Sequence, residues 1–393
     1  MITPNNSIIG FDGKKALNNL TGIGNYSRFI INALSGRNPK TRFCLFAPKD
    51  KNQEARRNLR FLPNIDLILP PQGTIREWWR CFGMVSELKK RNIQLYHGMS
   101  NELPFGIHRS GIPSVVTVHD LIFLRYPHTF SLADRLILQV KVKYACRHAD
   151  RIIAISEQTK QDIMKYYGIA EDKIEVIYQG CADRFYHRHT QSEIQDTIRK
   201  YNIPEKYIIS VGTIEKRKNH KTILKALEAL PEVHLVLVSK KTPLQAELEQ
   251  QISEKGMSGR VHILNSVPNA DLPILYQGAQ LAIYLSFFEG FGIPVLEAMA
   301  SAIPVITATG SCLKEVGGDA CAYCAPFDSE SLTQTIRQIL SHPEISRDMI
   351  QKGQLQARKF SSESVAENME NFYSRMLKAN TESNESEILH TSP

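Results

Sequence analysis

Several features that mark common protein classes are missing from this 393-residue sequence. No apolar run approaches the roughly 20 residues that a membrane-spanning helix needs. The first ten residues, MITPNNSIIG, have no basic stretch followed by an apolar one, so we expect no signal peptide. There is no Gly-x-x-x-x-Gly-Lys-Ser/Thr loop, which disfavours a P-loop enzyme. The seven cysteines are odd in number and scattered, so we expect free, buried thiols in a reducing cytosol rather than a disulfide framework.

Charge is unevenly distributed along the chain. Residues 1–190 contain 28 Lys and Arg against 16 Asp and Glu, whereas residues 191–393 contain 20 against 24. A basic first half favours an anionic partner, such as phosphate groups, an acidic membrane surface or nucleic acid. No zinc-finger spacing or RNA-binding strand motif is present, so we expect no nucleic-acid partner. Contact with an anionic membrane and an ordinary solvated surface both remain open.

The most informative stretch spans residues 281–318. An apolar run, Leu281–Leu285, predicts a buried strand, and a loop with two glycines follows it. Pro294 suits the first turn of a helix, and a second apolar run over 303–307 predicts the next strand. A helix that begins after a glycine loop at the end of a parallel strand offers free N–H groups to an anion.

Two carboxylates bracket this glycine loop. Glu289 stands at its mouth and Glu297 lies eight residues later, on the predicted helix. Carboxylates repel phosphate, so their presence beside an anion-binding helix start suits hydroxyl-rich groups such as a ribose and a sugar. A nucleotide sugar contains both groups, joined by a diphosphate, and is therefore the ligand that the stretch predicts.

The segment EGFGIPVLEAMASAIPVI resembles the donor-binding signature of retaining glycosyltransferases with the GT-B fold, family 4 in particular. The resemblance covers nearly the whole chain. It implies an α/β protein with two doubly wound, Rossmann-like domains that face each other across a cleft. It also implies transfer of a hexose from a nucleotide sugar to an acceptor hydroxyl with retention of configuration. No residue is an obvious nucleophile, so a front-face mechanism is favoured over a covalent intermediate.

The resemblance implies donor-site roles residue by residue. Glu297 would bind the ribose hydroxyls, and Glu289 would bind hydroxyls of the donor sugar. Arg217 and Lys218, in the string GTIEKRKN, would hold the diphosphate and stabilise it as it leaves. Many relatives have Arg directly after the glycine of this string, where this chain has Thr213. Backbone groups at three positions would also contact the diphosphate: Phe291, Gly292 and Ile293.

The first half supplies residues that resemble the acceptor side of the family. The β-branched run Ser114–Val118 predicts a strand that ends at His119 and Asp120, and ligands of parallel sheets bind at such strand ends. His119 would contact the donor sugar and orient the acceptor, with Asp120 beside it. Gly22 and Gly24, in TGIGNY, would line the floor of the cleft before a helix that starts near residue 25. Tight-turn glycines without a ligand are the alternative.

We expect four segments along the chain. Residues 1–190 would form an acceptor-side domain and residues 191–362 a nucleotide-sugar-binding domain. Residues 363–378 would be a helix that crosses back to the first domain, and residues 379–393 a disordered tail. A probable helix over 76–90 carries both tryptophans among basic residues. It suits an interfacial membrane contact, an acceptor-site wall or a helix packed on its sheet.

The strings TGIGNY and VHDL together resemble bacterial transferases of surface-polysaccharide assembly, often mannosyl-type. This implies a UDP- or GDP-linked donor and a saccharide or lipid-linked saccharide as acceptor. It also implies a cytoplasmic enzyme and leaves open a peripheral contact with the inner membrane face. No Asp-x-Asp motif of the other major glycosyltransferase fold is present, so we expect neither a metal nor a cofactor. A nucleotide-sugar epimerase and a catalytically silent nucleotide-sugar-binding subunit are the alternatives.

Overall fold

Two parallel β-sheets form the framework of the chain in the computed structural model, which describes the backbone of residues 7–391 and the side chains of residues 7–380. Contacts divide the chain into a first unit, Met1–Gly180 with Ser362–Pro393, and a second unit, Cys181–Ser361. The division therefore falls before the boundary predicted at residue 190. Two parallel, helix-covered sheets confirm the α/β, doubly wound class that the sequence predicts.

The first unit contains a seven-stranded sheet with the strand order β3-β2-β1-β4-β5-β6-β7. Its strands are β1 (Ile8–Asp12), β2 (Arg42–Phe46), β3 (Ile65–Ile68), β4 (Leu95–Gly98), β5 (Ser114–Val118), β6 (Arg151–Ala154) and β7 (Ile174–Val176). Every residue of β5 is buried, as expected for a central parallel strand covered on both faces. The order reverses between β1 and β4, at the kind of switch point where α/β sheets bind ligands.

Helices surround this first sheet. They are α1 (Lys14–Asn18), α2 (Gly22–Arg37), α3 (Gln53–Arg57), α4 (Arg76–Trp78), α5 (Met84–Lys90), α6 (Ile122–Arg125), α7 (Leu132–His148) and α8 (Glu157–Tyr167). A π-helical turn, Trp79–Gly83, joins α4 to α5, so the helix predicted over 76–90 forms with one wide turn inside it. Ser131 and Ser156 cap α7 and α8 by accepting bonds from backbone N–H groups.

The second unit contains a six-stranded sheet with the order β10-β9-β8-β11-β12-β13. Its strands are β8 (Ile208–Val211), β9 (Leu235–Ser239), β10 (Val261–Asn265), β11 (Leu281–Tyr284), β12 (Val305–Ala308) and β13 (Ala322–Cys324). Its helices are α9 (Gln191–Tyr201), α10 (His220–Leu227), α11 (Pro243–Glu254), α12 (Leu272–Gly278), α13 (Ile293–Ala300), α14 (Leu313–Gly317), α15 (Ser329–Ser341) and α16 (Pro343–Arg358).

The last helix, α17 (Ser362–Thr391), belongs to the first unit, where it packs against α2 and β4. Glu370 on α17 accepts bonds from Arg37 at 3.0 Å and Asn38 at 2.7 Å. The helix continues to Thr391, where the sequence had predicted disorder from residue 379. Nucleation is the costly step of helix formation, so a helix already fixed by packing extends readily into polar residues. Residues 392 and 393 lie outside the described part.

Helix hydropathy and the state of the cysteines are two further properties of the described residues. Across the residues that the structure describes, no helix is both long and apolar enough to cross a bilayer. All seven cysteines are free thiols, and five of them are buried.

Candidate active site

The predicted glycine loop and helix start lie at the carboxyl end of β11. Gly292 is the residue before α13 and has φ +105°, a conformation that L side chains rarely adopt. A Cβ at this position would also lie 2.7 Å from a methyl group of Leu313. Pro294 occupies the first turn of α13, as predicted. Glycine is therefore required at residue 292 for both conformation and space.

A cysteine that the sequence did not single out is hydrogen-bonded to the backbone of this loop. The thiol of Cys312, directly before α14, donates to the carbonyls of Glu289 at 3.1 Å and Phe291 at 3.0 Å. The backbone N–H of Glu289 donates to Ser311 at 3.3 Å. The segment after β12 thus holds the shape of the loop after β11.

Three of the predicted site residues meet at one carboxylate oxygen. Oε1 of Glu289 lies 2.7 Å from Nζ of Lys218 and 2.5 Å from Nη1 of Arg217. The hydroxyl of Tyr284, the last residue of β11, donates to the same oxygen at 2.9 Å. Arg217 also donates to Glu215 at 2.5 Å. We name Arg217, Lys218 and Glu289 the charge triad.

Burial and charge oppose each other in the charge triad. Burial by itself raises the pKa of Glu289, but Lys218 and Arg217 outweigh it and hold that pKa well below the usual value. Burial lowers the pKa of Lys218, while Glu289 acts in the opposite direction. Glu289 contacts both cations, and Arg217 also contacts Glu215, so the cations are balanced by carboxylates that an incoming anion can displace. The charge triad can therefore take up an anion, for which Arg offers a planar fork and Lys a compact charge.

The second predicted carboxylate, Glu297, lies on α13 in a different environment. Its Oε2 accepts a bond from the hydroxyl of Tyr276 at 3.4 Å. Burial raises the pKa of Glu297 to about 7, although Arg184 and Tyr276 lower it. Glu297 is therefore partly protonated at neutral pH, in contrast to the ionised Glu289. Nothing in the sequence around Glu297 indicated this difference, because it arises from the partners that the fold supplies: Lys218 and Arg217 outweigh burial at Glu289, whereas Arg184 does not at Glu297.

His119 lies at the carboxyl end of β5 in the first unit and is buried. Its Nε2 is 2.9 Å from the carbonyl oxygen of Met99. A carbonyl only accepts, so Nε2 carries the proton and Nδ1 keeps a lone pair. Burial lowers the pKa of His119 to about 4, which keeps the ring neutral at pH 7. The ring edge of Tyr26 packs against it, with 4.7 Å between ring centroids.

Asp120 has a structural contact in addition to its predicted site role. Its Oδ1 accepts a bond from the backbone N–H of Ile122 at 3.1 Å, at the start of α6. This bond fixes the turn that follows His119. A role of Asp120 in binding substrate stays a prediction.

The glycines near the start of the chain differ from each other. Both lie inside α2, which begins at Gly22, so the prediction of a loop up to Gly24 and a helix from residue 25 was wrong. The short helix α1 occupies part of that loop. A Cβ on Gly24 would lie 1.9 Å from the carbonyl oxygen of Asn19, whereas a Cβ on Gly22 would meet no atom within 4 Å. Packing therefore requires glycine at residue 24 alone.

A buried arginine that sequence reasoning missed holds this segment. Arg28, on the second turn of α2, donates to the carbonyls of Ala16 and Asn19, both at 2.7 Å. It also donates to the side chain of Asn25 at 2.6 Å. Only its place one turn after the glycines could have pointed to it.

A buried chain of polar side chains, which no sequence motif indicates, connects α17 to the residues around His119. Tyr373 on α17 lies 2.6 Å from Nδ1 of His97, whose Nε2 lies 2.7 Å from the hydroxyl of Thr117. Thr117 lies 3.0 Å from the hydroxyl of Tyr26, which packs on His119. Burial lowers the pKa of His97 to about 3, so this ring is also neutral.

Both halves of the chain match family models. Residues 20–183 match the model described as Glycosyltransferase Family 4, and residues 193–356 match Glycosyl transferases group 1. The chain belongs to glycosyltransferase family 4. Together the two matches cover every predicted site residue of this family 4 glycosyltransferase.

The family 4 chain is similar to curated mannosyltransferases. It is 27% identical to the O-antigen chain mannosyltransferase B of Escherichia coli over 378 residues, which cover 90% of this chain and 96% of the relative. It is 31% identical to the O-antigen chain mannosyltransferase RfbU of Salmonella typhimurium over 236 residues, which cover 59% of this chain and 62% of the relative.

Solved structures share the fold of this family 4 glycosyltransferase. A sucrose-phosphate synthase from Thermosynechococcus elongatus has a TM-score of 0.74 at 19% identity and covers 95% of this chain and 100% of its own. A glycosyltransferase from Rickettsia africae has a TM-score of 0.75 at 17% identity, with coverages of 95% and 100%. These likenesses confirm the GT-B fold.

The predicted site residues of the family 4 chain thus fall into two groups. The second unit contains the charge triad, Glu297 and the Phe291–Ile293 loop, all around β11 and α13. The first unit contains His119 and Asp120 at the carboxyl end of β5 and the two glycines in the first turn of α2. The functional roles of these residues stay predictions.

Proposed function

We propose that this family 4 glycosyltransferase is a retaining mannosyltransferase of cell-surface polysaccharide synthesis. It would move mannose from a nucleotide sugar to a hydroxyl of a saccharide or lipid-linked saccharide. The charge triad at the mouth of the glycine loop is the observation that carries the proposal of a nucleotide-sugar donor. The choice of mannose is supported by the relatives named above, which are mannosyltransferases of O-antigen chains.

In this proposal the diphosphate of the donor is bound by Arg217 and Lys218. Both cations contact Glu289, and Arg217 also contacts Glu215, so a diphosphate would compete with these carboxylates for the two cations. Negative charge grows on the diphosphate as the bond to the sugar breaks, so fixed cations stabilise the transition state more than the ground state. Released from part of its ion pairing, Glu289 has oxygen lone pairs to accept bonds from the sugar hydroxyls.

Glu297 is proposed to bind the ribose. A carboxylate can accept bonds from two neighbouring hydroxyls only when it is ionised. The raised pKa of Glu297 means that the nucleotide must favour the ionised form to bind. Nucleotide affinity should therefore depend on pH near neutrality.

The state of the ionisable groups supports a front-face mechanism. His119 is neutral with its proton directed at a carbonyl, so Nδ1 can accept a bond from a hydroxyl but the ring is not poised to donate a proton. Glu289 is held ionised by two cations, and its low pKa makes it a weak base and a weak nucleophile. The leaving phosphate then remains as the group that takes the proton of the acceptor.

The proposal is tested by nucleotide binding and by transfer. We expect GDP-mannose to raise the melting temperature more than UDP-glucose does, with EDTA and with Mg²⁺ alike. Arg217→Ala should weaken binding about 10–100-fold, the equivalent of one or two charge-assisted hydrogen bonds. Lys221→Ala is the matched control, because Lys221 is an exposed cation of the same unit.

Transfer is followed as GDP release and mannose incorporation into a mannose-terminated saccharide. Without acceptor the donor sugar should keep its identity, and its conversion to another sugar would indicate an epimerase instead. Normal turnover in Arg217→Ala with the fold intact would remove that residue from the mechanism.

A further inference from the structure

Large apolar side chains are concentrated on two helical segments of the first unit. Among the residues whose side chains are described, eleven large apolar residues are exposed, and seven of them lie on these segments. On the segment around α4 they are Ile75, Trp78 and Phe82, which are 75%, 57% and 55% exposed. On α7 they are Leu132, Leu136, Ile137 and Val140, which are 54–71% exposed. We call these seven residues the apolar face.

Neighbouring aromatic rings connect the two parts of the apolar face. The centroids of Trp78 and Phe82 are 6.1 Å apart, and those of Phe82 and Phe105 are 5.1 Å apart. The ring centroid of Phe105 in turn lies 4.5 Å from that of Tyr144 on α7. Tyr144 is one helical turn from Val140, so the surface is continuous. Contiguous apolar surface of this kind on a protein marks a binding site more often than isolated exposed residues do.

The apolar face of α7 is separate from the side that packs on the protein. The packed side is formed by Val142, Ala145 and Cys146, which are fully buried in the later turns of the helix. Leu132, Leu136 and Val140 recur every four residues and form an outward stripe. A stripe on the solvent side of a helix that already packs through other residues needs a second apolar medium or partner.

Charge around the apolar face is mainly positive. Helix α7 carries four cations, Arg135, Lys141, Lys143 and Arg147, against the single acid Asp134. On the other segment the exposed cation Arg76 and the exposed acid Glu77 both lie beside Trp78, and Glu77 is paired with Lys14 and Arg80. Apolar and aromatic side chains flanked by Lys and Arg are the combination that binds the interface of an anionic lipid bilayer.

The part of the apolar face around α4 lies near the carboxyl edge of the sheet. Both helical segments of the face follow strands, β3 and β5, and a crossover helix begins on that side of a parallel sheet. Buried Arg80 pairs with Asp12 at the end of β1 and with Glu102 after β4, which fixes the segment to this edge. Ligands of parallel sheets bind at this edge.

We propose that the apolar face docks the first unit on an anionic membrane surface, with the acceptor-side edge of the sheet at the lipid headgroups. A lipid-linked acceptor would then reach His119 without leaving the bilayer. The access of a lipid-linked acceptor to His119 rests on the proposed function. The membrane docking itself can be measured without any glycosyl transfer.

The test is sedimentation of the full chain with lipid vesicles. Vesicles of phosphatidylcholine with about 30 mol % phosphatidylglycerol mimic an anionic leaflet, and pure phosphatidylcholine is the reference. We expect the chain to bind the anionic vesicles and to dissociate as salt rises. Leu136→Ser with Val140→Ser should weaken binding about tenfold or more. Phe327→Ser with Leu355→Ser is the matched control, because these residues of the second unit are equally exposed.

Three results would overturn the docking proposal. They are no binding of the wild type to anionic vesicles, equal loss in the control variant, and a change from dimer to monomer in Leu136→Ser/Val140→Ser that shows the face joins two copies. Melting temperatures of both double variants verify their folding. Turnover on a water-soluble acceptor should be unchanged in Leu136→Ser/Val140→Ser. That readout separates failed docking from failure of the proposed transfer reaction.

Discussion

Replacing Glu289 with Gln removes one charge from the charge triad without changing its shape. Two charge-assisted hydrogen bonds, from Lys218 and Arg217, then have a neutral acceptor. Each such bond is worth about 1.5–3 kcal/mol and roughly half of that with a neutral partner, so the expected loss is about 1.5–3 kcal/mol. For a unit of this size that lowers the melting temperature by roughly 3–12 °C.

Ligand binding should separate the roles within the charge triad. In Glu289→Gln the two cations lose their internal anion, so GDP should stabilise this variant at least as strongly as the wild type. The additional stabilisation that GDP-mannose gives over GDP should disappear, because the sugar hydroxyls lose an ionised acceptor. In Arg217→Ala the stabilisation that GDP gives should itself decrease.

The assay is a thermal-shift titration of each variant with GDP and GDP-mannose. Glu247→Gln is the matched control, since Glu247 is an exposed carboxylate paired with Lys221 in the same unit, and it should change stability by less than about 0.5 kcal/mol. An unchanged melting temperature in Glu289→Gln, or loss of GDP binding as severe as in Arg217→Ala, would refute the reasoning.

The pH dependence of the charge triad follows from the depressed pKa of Glu289. The folded state holds the ionised form more tightly than the unfolded chain does. The stabilisation is therefore complete above the unfolded pKa, near 4.5, and is lost as pH falls toward the folded value. Glu289→Gln should thus be less stable than the wild type at pH 7, and the difference should shrink in acid.

Three further predictions concern single residues. Burial raises the pKa of Glu297, so the stability that it costs grows as pH rises from 4.5 and is complete above about pH 7. Glu297→Gln should therefore raise the melting temperature at pH 8 yet weaken GDP binding about 10–100-fold by calorimetry. Tyr373→Phe should cost about 1–3 kcal/mol in urea unfolding because His97 loses a buried partner, and an unchanged midpoint would contradict this. Gly24→Ala should lower the melting temperature by several degrees, whereas Gly22→Ala should not.

Local signals in the sequence predicted the elements that carry the site. The apolar run before Glu289, the glycines of the loop and Pro294 together located β11 and the start of α13 correctly. The serines that cap α7 and α8, Ser131 and Ser156, are local signals of the same kind. These features depend on neighbours within a few residues, so they can be read without the fold.

Features that depend on distant partners were not predictable. The sequence placed Arg217 and Glu289 in one site, but their contact with each other arises only when β8 and β11 pair. The bond between His97 and Tyr373 joins residues 276 positions apart. The start of α2 was misplaced because glycines normally indicate a loop, while here a close approach of Asn19 requires Gly24 inside the helix.

A ¹H NMR time course with GDP-mannose and a mannose-terminated saccharide tests the proposed reaction most directly. Retaining transfer from this α-linked donor predicts that GDP appears together with a new α-mannosidic signal. The same signal should be lost in Arg217→Ala and kept in Lys221→Ala. A β-linked product, or equal rates in Arg217→Ala and the wild type, would contradict retaining transfer through the charge triad.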